Sequence, residues 1–246
     1  MTSPAPQPGI ADDPGRRLEK LGWARLERLL DERGCAVLPD LLDPPQARKL
    51  AGLYADPALF RSRIDMERYG FGRGEYQYFR YPLPPIVQDL RTRFYRHLVP
   101  VANRWHEAMG LASRFPPEHE AFIRRCHEAG QARPTPLLLR YGPDDFNCLH
   151  QDLYGEHVFP LQVTILLSKP DEDFVGGEFV MTRQVPRRQS QVRVAHLDQG
   201  DAIVFAVNSL PIPGRRGPVR ATMRHGVSPV TAGQRHTLGI VFHDAL

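Results

Sequence analysis

From Pro134 onward the chain breaks into short runs of β-forming residues separated by turn residues, and this punctuation restricts the fold more than any other feature. The runs span 137–141, 159–168, 178–182, 191–197, 202–207, 222–227 and 237–242. Strands this short, with no helical spacing between them, predict an antiparallel sandwich or barrel. The stretches 171–177 and 211–218 read as connecting loops.

The part before Pro134 has a different period. Leu18, Leu21, Trp23, Leu26, Leu29 and Leu30 recur at three- and four-residue steps, which predicts one helix over 16–33 that Gly34 ends. A short strand follows over 35–38. Asp43 can cap the next helix, with Pro44 and Pro45 in its first turn. Helical spacing returns over 85–110 and 118–130. Between these helices, Gly70, Gly72 and Gly74 punctuate a stretch in which Tyr69, Phe71, Tyr76, Tyr78, Phe79 and Tyr81 interleave with Arg68, Arg73 and Arg80. It predicts a loop or short hairpin, either a lid that stacks on bases or an aromatic anchor on the core. The organisation expected is a Pro-rich tail (1–14), a mainly helical support region (15–134) and a β core (135–246), the last two forming one structural domain.

Composition narrows the class further. With 246 residues and 41% hydrophobic, the chain is long enough for one sizeable core. Lys plus Arg number 32 against 28 Asp plus Glu, and nearly all of the basic residues are Arg. Arg187, Arg188, Arg215, Arg216, Arg220 and Arg224 crowd the β half and form a basic set expected near the cavity mouth, where they would meet nucleic acid. Cys35, Cys126 and Cys148 make no CxxC pair, which excludes a thiolate zinc site and suits a cytoplasmic protein. No apolar run reaches the roughly 18 residues of a membrane span. Nothing in the pattern sets an oligomeric state.

Chemistry enters with the triplet His150, Gln151 and Asp152. Strand alternation sends the imidazole and the carboxylate to one side, where both can bind one cation. His225, on a later run, completes two imidazoles and one carboxylate, the facial set of non-haem Fe(II) oxygenases. His157, His196, His236 and His243 are rival imidazoles and read as surface or core residues. Arg235 opens the last run with Thr237 on the same face, a guanidinium fork and a hydroxyl suited to the carboxylate of an acid co-substrate. Gln162 and Thr164 alternate with Leu161, Val163 and Ile165, so their face meets either the barrel mouth or an outer helix.

The whole pattern resembles the 2-oxoglutarate/Fe(II)-dependent dioxygenases of the double-stranded β-helix fold. The likeness rests on His150-x-Asp152, on Gly176-Gly177-Glu178-Phe179 before a strand, on Gln199-Gly200-Asp201-Ala202-Ile203-Val204-Phe205, and on His225-Gly-Val-x-Pro-Val-x-x-Gly-x-Arg235-x-Thr237. It covers most of residues 35–243. Prolyl-hydroxylase-like members share these motifs and carry a tyrosine on the first barrel strand, which Tyr141 matches. Over its full length the chain is most similar to a bacterial family suggested to act oxidatively on alkylated DNA bases. Val241 stands where alkylated-nucleobase repair dioxygenases carry a second arginine.

This resemblance implies an α+β protein, a double-stranded β-helix (jelly-roll, cupin-like) barrel with N-terminal helices packed outside. It implies an enzyme that uses Fe(II), 2-oxoglutarate and dioxygen to hydroxylate or oxidatively demethylate its substrate, with alkylated nucleobases in DNA as the first candidate. A prolyl or small-molecule hydroxylase is the second reading, and a non-catalytic metal-binding cupin-like protein, or a zinc-loaded barrel, is the third. His150, Asp152 and His225 would hold the metal, and Arg235, Thr237 and Tyr141 would contact 2-oxoglutarate.

Overall fold

A computed structural model describes residues 13–153, 155–215 and 217–246. The helical spacing over 16–33 resolves into two helices, α1 (Pro14–Lys20) and α2 (Trp23–Arg33). The break falls at Leu21, whose backbone is extended, and Gly22, while the Trp23 indole N–H closes the corner on the Leu18 carbonyl at 3.0 Å. Of the expected tail, residues 1–12 lie outside the described residues. Asp13 caps α1 and Pro14 is its first residue, so Pro14 belongs to the helix. Next come β1 (Cys35–Leu38) and α3 (Pro44–Gly52), whose capping box pairs Asp43 with Gln46.

The aromatic stretch expected as a loop or short hairpin is a hairpin, in which β2 (Phe60–Asp65) pairs antiparallel with β4 (Glu75–Phe79) and the connection holds the short β3 (Gly72–Arg73). Two helices follow, α4 (Pro85–Ala108) and α5 (His119–Glu128). The rest of the chain supplies β5 (Leu137–Tyr141), β6 (Phe146–His150), β7 (Leu161–Leu166), β8 (Phe174–Gly176), β9 (Phe179–Gln184) and β10 (Gln191–Ala195). It ends with β11 (Ala202–Ala206), β12 (Ser209–Ile212), β13 (Val219–Val227), β14 (Val230–Gly233) and β15 (Arg235–Ile240). Two expected loops therefore contain strands: β8 pairs with β14, and β12 pairs with β13 as an edge strand, where Pro211 forfeits no interior ladder bond.

The strands form a seven-stranded antiparallel sheet in the order β1-β11-β7-β15-β5-β4-β2 and a six-stranded one built on β10-β9-β13-β6-β3. The larger sheet is therefore completed by β1, β2 and β4 from the first half of the chain. Its outer face carries Leu138, Ile165 and Leu238, neighbours in register and fully buried, which join the helices in one core with Leu90, Phe94, Leu98 and Trp105 of α4. Each such side chain contributes about 1.5–3 kcal/mol of burial. Its inner face meets the smaller sheet, where Phe179 of β9 packs on Phe205 of β11 at 4.9 Å between ring centroids. Among the described residues no ladder joins the two sheets into a closed barrel, so the expected architecture holds at the level of facing antiparallel sheets buttressed by helices. No helix is long and apolar enough to cross a membrane among the described residues.

Candidate active site

Between the two sheets lies a cavity of about 300 Å³. Tyr141, Gln162, Thr164, Phe205, Arg235 and Thr237 line it from the large sheet, and Phe179, His150 and His225 from the small one. Asp152 enters from the loop after β6.

His150 and His225 sit directly opposite each other on paired strands β6 and β13, which sends both imidazoles to one face with ring centroids 4.2 Å apart. The ladder shifts register between His225 and Val227, a bulge of the kind that re-aims side chains. Asp152 bridges the pair: its Oδ1 lies 3.4 Å from His150 Nε2 and its Oδ2 lies 3.4 Å from His225 Nε2. The loop holding it is pinned by its neighbour, since Gln151 Nε2 donates to the carbonyls of Asn208 at 2.9 Å and Met223 at 2.8 Å. One donor atom from each of His150, Asp152 and His225 lies within 4.8 Å of the others, and this is the group of metal-ligand type among the described residues.

The electrostatics keep these donors distinct. Burial pushes the Asp152 carboxyl up, but hydrogen bonds with His150 and His225 outweigh it and hold the group well below the usual carboxylate range. Burial likewise favours neutral His225, whose pKa is lowered, whereas at His150 the Asp152 partner overcomes burial and raises it. His150 Nδ1–H donates to the Cys148 carbonyl at 2.7 Å, which leaves Nε2 as the free ligand atom.

Arg235 lies toward the far end of the cavity. It is 2% exposed, yet Nε and Nη1 have no protein partner, and burial lowers its pKa to about 10. Its Cζ stands 5.6 Å from the Tyr141 ring and 5.8 Å from that of Phe174. Tyr141, paired with Arg235 in register, is fully buried, accepts a 3.4 Å hydrogen bond from Asn147 Nδ2, and has its pKa pushed by burial to about 12. Thr237 is buried on the same cavity wall. The turn under the guanidinium must be glycine: a Cβ on Gly177, at φ +65°, would meet Arg235 Cδ at 2.8 Å. A buried cation with unanswered donors, whose nearby acid Glu178 is exposed and bonded to Ser228 instead, fits a bound carboxylate, and two imidazoles with one ionised carboxylate fit a divalent iron.

All six residues selected from the sequence thus share one cavity. The rival histidines do not join them: His236 turns away from Arg235 toward Tyr54, and His243 is buried behind the sheet with Nδ1 accepting the Phe159 N–H. The basic set is placed differently from expectation. Arg187, Arg188, Arg215, Arg220 and Arg224 are exposed but none lines the cavity, because Arg224 alternates with His225 and Arg188 borders a separate groove with Arg104 and Arg183. Arg216 lies outside the described residues. The aromatic stretch divides its labour. Phe79 is core, Tyr76 and Tyr78 line the cavity, and Tyr69 and Phe71 remain 60% and 38% exposed, stacked 5.7 Å apart. Phe71 lines the cavity too, and its carbonyl accepts the Cys148 N–H at 2.8 Å, tying this stretch to the strand of His150. Asn147, which donates to Tyr141, and Gln151, which pins the Asp152 loop, line the cavity without having been singled out from the sequence for these tasks, and of the two faces the sequence left open for Gln162 the structure gives the cavity one.

Comparison with known proteins agrees with this geometry. Residues 74–245 match the family Oxygenase-NA, described as an oxygenase catalysing oxidative methylation of damaged DNA. An uncharacterized protein of Mycobacterium tuberculosis is 42% identical over 167 residues, which covers 68% of this chain and 72% of the relative. The chain belongs to the Oxygenase-NA family and is an oxidoreductase of oxygenase type. In fold it resembles an oxidoreductase of the 2OG-Fe(II) oxygenase family from Burkholderia pseudomallei, with TM-score 0.55 and 20% identity, covering 92% of this chain and 93% of the other. It also resembles a Pseudomonas putida prolyl-4-hydroxylase, with TM-score 0.52 and 13% identity, covering 91% and 99%.

Proposed function

We propose that His150, Asp152 and His225 hold Fe(II), that Arg235, with Thr237 and Tyr141 beside it, holds 2-oxoglutarate, and that the chain oxidises damaged bases in DNA. The observation that carries this reading is the sharing of one cavity by a three-donor cluster and a buried guanidinium with open donors. When bound, Fe(II) and 2-oxoglutarate supply oxidation of a substrate C–H bond by dioxygen, with succinate and CO₂ as the co-substrate's products. The chain's own part is placement. Asp152 stays ionised, His225 stays neutral, and the Cys148 carbonyl keeps His150 Nε2 turned to the ion. Arg235 anchors a carboxylate at a fixed distance from them, and Phe179, Phe205 and Leu139 keep water out.

The DNA reading is supported by the family description and by the mouth of the cavity. Phe71 lines it and, with Tyr69 stacked on it, offers rings to solvent; exposed Arg73, and Arg68 paired with Asp65, border the groove next to it, and Leu149 and Leu153 are exposed on the segment that carries His150 and Asp152. We read the two sheets as the halves of a distorted double-stranded β-helix barrel. The exposed Cys148 thiol next to the site suits a cytoplasmic setting.

The test measures succinate from protein supplied with Fe(II), 2-oxoglutarate, dioxygen and single-stranded DNA carrying one methylated base. Iron-dependent succinate, increased by the methylated strand over the unmodified strand, is expected. Asp152→Ala should reduce it to background while leaving the far-ultraviolet circular dichroism unchanged, since two neutral imidazoles capture iron weakly. Undiminished succinate from that variant would sink the ligand assignment.

A further inference from the structure

We infer that Gln162 is a specificity-determining residue that reads the substrate base. The inference rests on the proposed function and names a group in the cavity to which that reading gave no task.

Gln162 stands on β7, directly across from Phe205 of β11, so the two side chains share the cavity face. The Phe205 ring lies 4.5 Å from that of His225. The register of the large sheet fixes which end this is. On antiparallel β15, Ile240 pairs with Val163 and Thr237 with Leu166, so Gln162 lies past one end of this pairing and Arg235 past the other. A co-substrate carboxylate on Arg235 therefore occupies the opposite end of the cavity from Gln162, with the metal-ligand cluster facing the Gln162 side.

Gln162 is 4% exposed, and its Nε2 has no protein partner. The other buried glutamines behave differently. Gln77 Nε2 donates to the Tyr54 carbonyl at 2.9 Å, Gln131 Nε2 to that of Asp244 at 2.6 Å and Gln199 Nε2 to that of Leu167 at 2.8 Å. Each of those amides staples two segments together. Gln162 Nε2 staples nothing, and its side chain lines the cavity with Phe179 and Phe205 beside the ligand cluster, its donor unanswered by the chain. A leucine there would complete the apolar wall, whereas an amide is a penalty to folding unless something enters the cavity to meet it.

The chemistry that meets it is an acceptor on a flat, partly apolar body: the ring carbonyl or ring nitrogen of a nucleobase turned out of its stack, its faces against aromatic rings. Damaged bases that keep such an acceptor toward Nε2 would be selected, and those that present a donor there would be refused.

The test is anaerobic calorimetry on the protein loaded with Fe(II) and 2-oxoglutarate, titrated with a short single strand carrying 3-methylthymine, a neutral base with two ring carbonyls. Gln162→Leu should bind this strand on the order of tenfold more weakly, the loss of one buried hydrogen bond. Gln162→Glu should lose more, because its carboxylate faces the ring oxygen. Both variants should bind 2-oxoglutarate as the unaltered protein does, which also shows that they fold. Unchanged affinity of Gln162→Leu for the strand, or an equal loss of 2-oxoglutarate affinity, overturns the inference. If the unaltered protein forms succinate with methylated DNA yet fails to bind 3-methylthymine, the inference falls and the DNA reading stands. If no methylated strand stimulates succinate or binds, both fall.

Discussion

Two arginines are buried in this protein to almost the same degree, Arg91 at 0% and Arg235 at 2% exposure, and their surroundings are opposite. Every nitrogen of Arg91 is engaged. Nε donates to the Val241 carbonyl at 2.8 Å, Nη1 to Tyr81 Oη at 3.1 Å, and Nη2 to the Asp244 carboxylate at 2.8 Å and the His243 carbonyl at 3.2 Å. Asp244 itself is fully buried and also accepts from Tyr81 and bonds His127. Arg235 has aromatic rings around it and open donors, and among the described residues no carboxylate forms an ion pair with it, the nearby Glu178 being exposed and bonded to Ser228. A buried charge that is fully answered by the chain is a clamp, and one that the chain leaves unanswered is a place for a ligand.

The largest consequence falls on ligand binding. If Arg235 holds the co-substrate as proposed, Arg235→Ala removes one partner of a buried charge pair that forms only on binding, a loss of about 2–5 kcal/mol. The 2-oxoglutarate dissociation constant measured by calorimetry should rise by roughly a hundredfold. Thermal stability without co-substrate should not fall, because the acid nearest it, Glu178, is exposed and keeps its Ser228 hydrogen bond, so no acid is stranded in the interior. A melting temperature lowered as far as by a core truncation would break the contrast with Arg91.

The converse substitution moves stability and leaves binding alone. Arg91→Ala strands Asp244 in the interior and should destabilise the fold by about 3–5 kcal/mol, read as a lowered urea midpoint. Surviving protein should bind 2-oxoglutarate normally. Asp244→Asn together with Arg91→Met should recover part of the loss, since neither leaves a bare charge behind.

The sequence made the ligand end of this contrast legible and the clamp end invisible. His150, Asp152, His225, Arg235 and Thr237 could be chosen because each sits in or beside a β run, where alternation fixes the face, and because their order along the chain matches one known site. Arg91 lies within a helix amid other arginines, and its acid is near the far end of the chain, so no local spacing connects them. Gln162 fell between these cases. Alternation put it on the same face as Thr164, but a strand pattern does not say whether that face meets a helix layer or a second sheet. The facing Phe179 decides it, and that contact exists only in the folded molecule. The strands taken for loops, β8 and β12, are three and four residues long, and their pairing with β14 and β13 is what defines them. The basic residues of the β half show the limit of reading charge by proximity in sequence: Arg224 adjoins His225 and points to the other face of the sheet.

Acid should separate the two regions by a smaller margin. Near the Arg91 clamp, His119 Nε2–H donates to the Phe242 carbonyl at 2.8 Å and His243 Nδ1 accepts the Phe159 N–H, and burial lowers their pKa values to about 3 and about 4. In the unfolded chain both imidazoles take a proton near the ordinary value of 6.5. Between that pH and about 4 the unfolded state binds more protons than the folded state, so stability is present above the unfolded value and is lost as pH falls. Going from roughly pH 7 to roughly pH 5 should remove about 1–2 kcal/mol for each of the two, visible as a falling urea midpoint. His119→Phe keeps the aromatic contacts with Tyr95 and Phe242 and carries no titrating group, so its midpoint should start lower but decline less steeply with acid. A slope unchanged by that substitution would show that the acid-sensitive element lies elsewhere than beside the clamp.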